Sequence, residues 1–324
     1  MRKFFDKILR YTNRKTSSLA FWWLPVKEGK WNCPLTRDEI SDYYVDFSEK
    51  INYKYLFDSN GVPLLDYKGT VGVRYNPCAI AQYGLGLCSM YIKTKERKYI
   101  DKIRKQAEWI SNNTKIGKHE VGRLEYDFAG EAYNQVLDKG YISAISQGQA
   151  ISFLVRAMII LGDYKYLDTA NKLFASFKYS IYDGGVVNYD EKSRIYLEEY
   201  PTKKISCVLD GFIYAMFGVY DYYLITADTD AENIFFDCCN TVEDRLKEFD
   251  LGFWSRTDVY VEKPKMPASK FYHNVHVQQL KALYKITSRE VYIEYAQKWE
   301  QYQKNKIYST LALLYKCWFK VFYY

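Results

Sequence analysis

No Cys-x-x-Cys pair occurs in the chain. Its seven cysteines (Cys33, Cys78, Cys88, Cys207, Cys238, Cys239 and Cys317) are odd in number. Both facts argue against a disulfide framework, and the missing pair argues against a structural zinc site. Reduced, mostly buried thiols in a cytosolic compartment are the expectation. Histidine is scarce, with three in 324 residues. His273 and His276 lie three apart, a spacing compatible with a helical metal pair, but no third ligand is evident. Neither a metal nor another cofactor is expected, and both histidines are expected to hydrogen-bond near a substrate cleft. A basic run with a nucleic-acid motif is also missing, although the net charge is +7. An anionic substrate or a membrane surface suits that charge better than nucleic acid.

Long uninterrupted apolar runs are absent from both ends. Met1–Arg10 lacks the apolar core of a secretory signal. It reads as a short amphipathic helix, with Phe4, Phe5, Ile8 and Leu9 on one face and Arg2, Lys3, Lys7 and Arg10 around the rest. Tyr308–Tyr324 is strongly apolar but carries Lys316 and Lys320, and is too short and too charged to span a bilayer. A cytoplasmic protein is expected, with both termini in peripheral contact with an anionic membrane.

What the chain has in excess is tyrosine, 34 residues within an aromatic content of 18%. Rings that stack on sugar C–H faces while their hydroxyls meet a polar rim would use that composition. Tyrosine-rich helices that simply pack would use it too. From residue 79 a pattern repeats four times: a mostly apolar helix, a short polar turn, then an amphipathic helix. The pairs are Ala79–Ile92 with Tyr99–Ile110, Gln147–Leu161 with Tyr166–Phe177, Cys207–Leu224 with Ala231–Phe249, and His276–Ile286 with Val291–Tyr302. In Gln149–Leu161 the apolar residues run nearly all round, as in a buried helix. Tyr166, Ala170, Leu173, Phe174 and Phe177 form one stripe, as in an outer helix. Alternating inner and outer helices predict an all-α dominated (α/α) barrel or incomplete toroid, with no large β-sandwich domain. Three parts are expected: an N-terminal extension over 1–75, a catalytic (α/α) domain over 76–304 and an apolar basic tail over 305–324. The linkers into the inner helices are long, and Gly185–Tyr189 with Arg194–Leu197 reads as a short β-hairpin at the cleft.

Four blocks in these elements resemble the D-glucuronyl C5-epimerase family. Ser143-Ala-Ile-Ser-Gln-Gly-Gln-Ala-Ile-Ser-Phe-Leu-Val-Arg-Ala157 resembles that family's Ser-x-x-x-Gln-Gly-Gln-Ala-Ile-Ser-x-Leu-Val-Arg-Ala segment. Glu198-Glu-Tyr-Pro-Thr202, with Val208–Tyr214 and Gly218–Asp221 after it, resembles its Glu-Glu-Tyr-Pro block and the following helix. Tyr272-His-Asn-Val-His-Val-Gln-Gln-Leu280 is similar to its Tyr-His-x-x-His-x-x-Gln-Leu block, and Ala79–Gly84 to another segment upstream. The blocks keep the family's order over residues 75 to 303. The chain departs from the animal enzymes in having no room for their large β-sandwich insertion. It also has Tyr260-Val-Glu-Lys263 where the family has Tyr-x-x-Arg, which keeps the charge but loses the bidentate fork.

The resemblance implies inversion at C5 of a hexuronic acid in a polysaccharide or lipid-linked glycan. That reaction takes a proton from one ring face and returns one to the other, so it needs two acid/base groups on opposite sides. It also needs cations or strong donors on the carboxylate, where charge builds. The residues implied to act are Tyr200, Tyr272 and Tyr260, with Glu199 relaying a proton or orienting a hydroxyl. Gln82, Tyr83, Gln147, Gln149, Lys263, His273 and His276 are the expected substrate contacts. Lys265 and Arg156 are further candidate cations, though an arginine inside an apolar helix also suits a buried salt bridge. Rival readings are a polysaccharide lyase, a glycoside hydrolase with Glu199 and Asp127 or Asp210 as its acids, and a non-catalytic sugar-binding relative.

Overall fold

Pro77, at the first position of helix α1 (Pro77–Thr94), has no N–H to leave unpaired there, and the Asn76 side chain accepts from the Ala79 N–H. The helix is apolar on every side of its first three turns, and it ends where Lys95 turns into the left-handed region. An amphipathic partner, α2 (Lys98–Asn113), then runs back and buries Tyr99, Ile103, Ala107 and Ile110. Three further hairpins repeat the unit: α3 (Ala144–Leu161) with α4 (Lys165–Phe174), α5 (Leu209–Thr226) with α6 (Thr229–Phe249), and α7 (Lys270–Thr287) with α8 (Glu290–Lys304). Gly162, Ala227 and Ser288 end their inner helices in the same left-handed conformation as Lys95. The computed structural model describes residues 18–31, 34–133, 135–260 and 264–323. The expected helix over residues 1–10 therefore lies outside the described residues, as does Lys263.

The inner helices α1, α3, α5 and α7 pack side by side in chain order, each backed by its partner. Between α3 and α5 the two backbones nearly touch. A side chain on Gly148 would run into Ala215, and one on Gly218 would run into the backbone of Gly148. Only glycine permits that approach, which explains the glycine of the Gln-Gly-Gln block. The crossing is held by a buried ion pair, Arg156 Nη1 to Asp221 Oδ2 at 2.6 Å. Tyr44 Oη also donates to Asp221, and the guanidinium bonds the carbonyls of Ser41, Asp42 and Ser152. Arg156 is thus structural and does not reach the cleft.

The N-terminal segment bridges α7 and α1. Its strands β1 (Lys27–Glu28) and β2 (Val45–Asp46) lie against α7, and a 3-10 helix over Ser48–Asn52 lies against α1. The architecture is an incomplete (α/α) toroid. Among the described residues all strands occur in five two-stranded antiparallel pairs, with no sandwich. The other eight are β3 (Leu64–Asp66), β4 (Val73–Tyr75), β5 (Thr114–Ile116), β6 (Gly122–Leu124), β7 (Gly130–Ala132), β8 (Gln135–Leu137), β9 (Val187–Tyr189) and β10 (Ile195–Leu197). The expected hairpin is β9–β10, paired Tyr189 to Ile195 and Leu197 to Val187. A last helix, α9 (Lys306–Phe322), packs on α8.

Candidate active site

All four inner helices begin at one cleft. Its first lobe, about 510 Å³, is bordered by Asn76 and Cys78 at the start of α1, Ser143 and Ile145 at α3, Asp210 and Tyr214 at α5, and Phe271, Tyr272 and Val275 at α7. Four helix N-termini give the floor a field that favours an anion. Trp22, Tyr67, Tyr126, Phe128 and Tyr141 supply aromatic faces around the rim. The second lobe, about 270 Å³, is walled by Tyr133, Val208, Asp258, Tyr260 and the α9 side chains Lys316, Phe319 and Lys320. Glu131, Glu199, Tyr200, Asp210 and Tyr272 border both lobes. Of the residues implied to act, Tyr200, Tyr272 and Glu199 therefore meet at the junction, and Tyr260 stands in the second lobe.

The Glu-Glu-Tyr-Pro block divides its labour. Glu198 is fully buried and faces away from the cleft, accepting from the Ser206 hydroxyl at 2.7 Å and from the N–H groups of Ser206 and Cys207. Burial outweighs those bonds and pushes its carboxyl up to about 7. This clamp closes the loop over residues 198–207 and turns Glu199 inward. The Glu199 side chain lies against Gly211 in the first turn of α5, where a methyl group would collide with it. Burial, and then the charge of Asp210, push the Glu199 carboxyl up to about 8, against the opposing effect of a hydrogen bond from Tyr200. One of its oxygens, Oε2, is buried without a hydrogen-bond partner.

Tyr133, from a long linker expected to help build the groove but given no role there, joins the tyrosines. Its backbone is left-handed (φ 52°) at the turn after β7. Its ring centroid lies 4.6 Å from that of Tyr260 and 6.2 Å from that of Tyr200, with Asp258 beside it in the same lobe. Two cations were also missed. Lys50, from the 3-10 helix, borders the first lobe, and Lys316 borders the second. Burial lowers Lys316 to about 8, against the charges of Asp258 and Asp210. A lysine isolated within the apolar run Leu311–Phe319 was a visible signal for Lys316. Lys50 sits in an irregular segment with no motif, so only the folded chain reveals it.

The other expected substrate contacts divide. Gln82 borders the first lobe, its Nε2 bonded to Gln149 Oε1 at 3.1 Å and its Oε1 buried without a partner. An orphaned oxygen beside a cleft is placed to take a sugar hydroxyl. Gln149 stands behind it, accepting also from Cys78, and does not border the cleft. Gln147 ties α3 to β6 through the Leu124 N–H and the Gly122 carbonyl, which directs it away from substrate. Tyr83, the next residue along the helix, does not border the cleft and packs its ring 5.6 Å from Phe57. His273 is stacked on Trp254 at 3.9 Å, bonded to the Trp299 carbonyl and to Ser255. Burial drops it to about 3, so it is neutral and supplies no charge. His276 shares the Ser255 hydroxyl and stands one layer back, its Nε2 3.7 Å from Asp210. Lys265 is exposed and borders neither lobe.

Residues 115–301 match the family model described as D-glucuronyl C5-epimerase C-terminus. A D-glucuronyl C5-epimerase of Caenorhabditis elegans is 33% identical over 186 residues, which are 53% of this chain and 30% of that protein. An uncharacterized protein of Methanocaldococcus jannaschii is 30% identical over 179 residues, 54% of this chain and 56% of that one. The match thus spans about half or less of these relatives' length. Among solved structures, a family 76 glycoside hydrolase from a bovine Bacteroides thetaiotaomicron strain aligns at a TM-score of 0.44 and 15% identity, covering 66% of this chain and 46% of that one. A cellobiose 2-epimerase from Spirochaeta thermophila aligns at 0.40 and 12%, covering 65% and 54%. Likenesses at those scores carry nothing about chemistry.

Proposed function

We propose, for a chain that belongs to the D-glucuronyl C5-epimerase C-terminus family, that it inverts C5 of a hexuronic acid within an anionic polysaccharide or lipid-linked glycan. What supports this most is the meeting of Tyr200, Tyr272 and Glu199 at the junction of one cleft, with Tyr260 beside them. The reacting sugar lies between Tyr200 and Tyr272. One tyrosine oxygen takes the C5 proton while the C–H electron pair moves into the carboxylate as an enediolate. The other tyrosine returns a proton to the opposite face of C5. Resetting the pair needs one proton to pass from the tyrosine that took it to the tyrosine that gave it, and Glu199, which borders both lobes with Tyr200 and Tyr272, relays it by giving its own proton on one side and taking one on the other. Burial and the charge of Asp210 hold the proton on Glu199 more firmly than on an ordinary carboxyl near 4.5, so the carboxylate left once Glu199 has given that proton up takes one back from a phenol more readily, each unit of mismatch costing about 1.4 kcal/mol. Gln82 and the aromatic rim hold the sugar hydroxyls and faces.

Tyr→Phe removes only the transferring oxygen. Tyr200→Phe and Tyr272→Phe are each expected to slow deuterium exchange at C5 by about a hundredfold or more, with unchanged melting temperature. Full activity in both variants would end the two-tyrosine reading. A second reading has an observation of its own: Glu199 and Asp210 border the same cleft, and a pair of carboxylates is what a glycoside hydrolase uses. Its products differ and separate the two.

We also propose peripheral membrane contact through α9. Ile307, Leu311, Leu314, Trp318 and Phe322 recur at helical spacing along this helix and are all exposed. Lys306 accompanies them, while Lys316, Phe319 and Lys320 on the same helix border the cleft. A lipid-linked glycan at an anionic surface would then meet the cleft directly.

A further inference from the structure

Lys50 is a cation in a place that ordinarily excludes one. Only 1% of it is exposed. Its Nζ donates to the Phe21 carbonyl at 2.7 Å and lies 4.6 Å from the centre of the Phe21 ring and 5.7 Å from that of Phe271. Among the described residues no carboxylate comes within 4.0 Å of it. A buried ammonium without a counter-ion is costly, and an ammonium has three N–H groups to satisfy. The side that is not covered by rings borders the first lobe, the same lobe that Glu199, Tyr200 and Tyr272 border. The titratable group facing it from α1 is the Cys78 thiol, which burial keeps neutral. Glu199 and Asp210 border the lobe as well, the first of them held largely protonated.

We infer that Lys50 is the specificity residue that receives the substrate's carboxylate: its ammonium waits in the first lobe for an anionic group that the protein itself does not provide. The inference rests on the reading of the cleft as a uronate site. It fits the missing Tyr-x-x-Arg arginine, because a point-charge cation from another segment can neutralise the carboxylate without a fork. It also gives the enediolate a charged partner where negative charge grows. Burial lowers the ammonium to about 7 in the empty cleft. A bound carboxylate at hydrogen-bond distance would raise it again and keep it charged through the reaction.

The test compares two ligands on three proteins. A glucuronate-containing oligosaccharide and its carboxyl-reduced, neutral counterpart are titrated by calorimetry into wild type, Lys50→Met and Lys50→Arg. Lys50→Met is expected to weaken the acidic ligand by about 10- to 100-fold, the usual worth of a hydrogen bond to a charged group, and to leave the neutral ligand unchanged. Retained binding of the neutral ligand shows that the variant is folded. Lys50→Arg is expected to keep most of the preference for the acidic ligand. Equal loss for both ligands, no loss for either, or a wild type that does not prefer the acidic ligand would overturn the inference. Deuterium exchange at C5, followed on the same samples, reports separately on the reaction. A wild type that binds the acidic ligand through Lys50 but exchanges nothing would leave the inference standing and remove the epimerase.

Discussion

Glu199 sits where water cannot solvate its charge, with Asp210 adding repulsion, and both hold its carboxyl well above the ordinary carboxylate range. That has a consequence for stability with a definite sign. Its carboxyl rises from the ordinary 4.5 to about 8 on folding. The folded protein therefore holds this proton across a range where the unfolded chain has lost it. The contribution is fully present below 4.5 and is lost as pH rises through 8. Glu199→Gln keeps the shape and cannot ionise. Its melting temperature relative to wild type should climb steadily between about pH 5 and about pH 9, the variant becoming the more stable protein on the alkaline side. A difference that stays flat with pH would show that Glu199 ionises normally and would remove it as a partner for the tyrosine proton. Residue-level reading of the sequence picked out Tyr200, Tyr272 and Glu199 because they stand in recognisable blocks, and the three border one cleft. It placed Gln147, Gln149, Tyr83 and His273 at the substrate, whereas the structure sets them off the cleft: a glutamine that staples a hairpin, a tyrosine packed on Phe57, a histidine stacked on tryptophan. A motif marks which residues matter without saying whether they face substrate or their own core.

Helix periodicity was the most legible level. Three of the inner helices are buried nearly all round, the fourth, α7, is more polar, and each outer helix has one stripe, so the hairpins follow largely from burial. The error was largest at the start of α7, expected at His276 and found at Lys270. The Ser269 side chain accepts from the Tyr272 N–H and starts the helix six residues early. That cap brings Tyr272 onto the first turn, at the cleft. The last helix carries a prediction of its own. Ile307 is 76% exposed and Phe322 68%, an apolar face that water tolerates poorly. Vesicles rich in phosphatidylserine should co-sediment the protein and shift the fluorescence of Trp318 to shorter wavelength. Replacing Leu311, Leu314 and Phe322 with serine should cut that binding by about tenfold or more, without lowering the melting temperature, because the three side chains are exposed. Equal binding by the triple variant would assign membrane contact elsewhere or nowhere.

At the scale of the molecule, the toroid explains why the cleft and the helix starts share one end. Four helix starts, a clamped Glu-Glu-Tyr-Pro loop and the terminal segments converge there, so residues far apart in sequence (Lys50, Glu199, Tyr272 and Lys316) line one cleft. The repeat made the toroid readable, since each hairpin is local. The complete site was not, because Lys50 and Lys316 come from segments outside the repeat and meet the tyrosines only through long-range packing. The most direct measurement is an incubation of the wild-type protein with glucuronate-containing oligosaccharides in deuterated water, followed by NMR. Deuterium should enter at C5 alone, the C5 configuration should invert in a growing fraction of residues, and chain length should stay constant. Chain cleavage with an unsaturated product would mean a lyase, cleavage with new reducing ends a hydrolase, and either result, or no exchange with any uronate offered, would contradict C5 epimerisation as the function of this cleft.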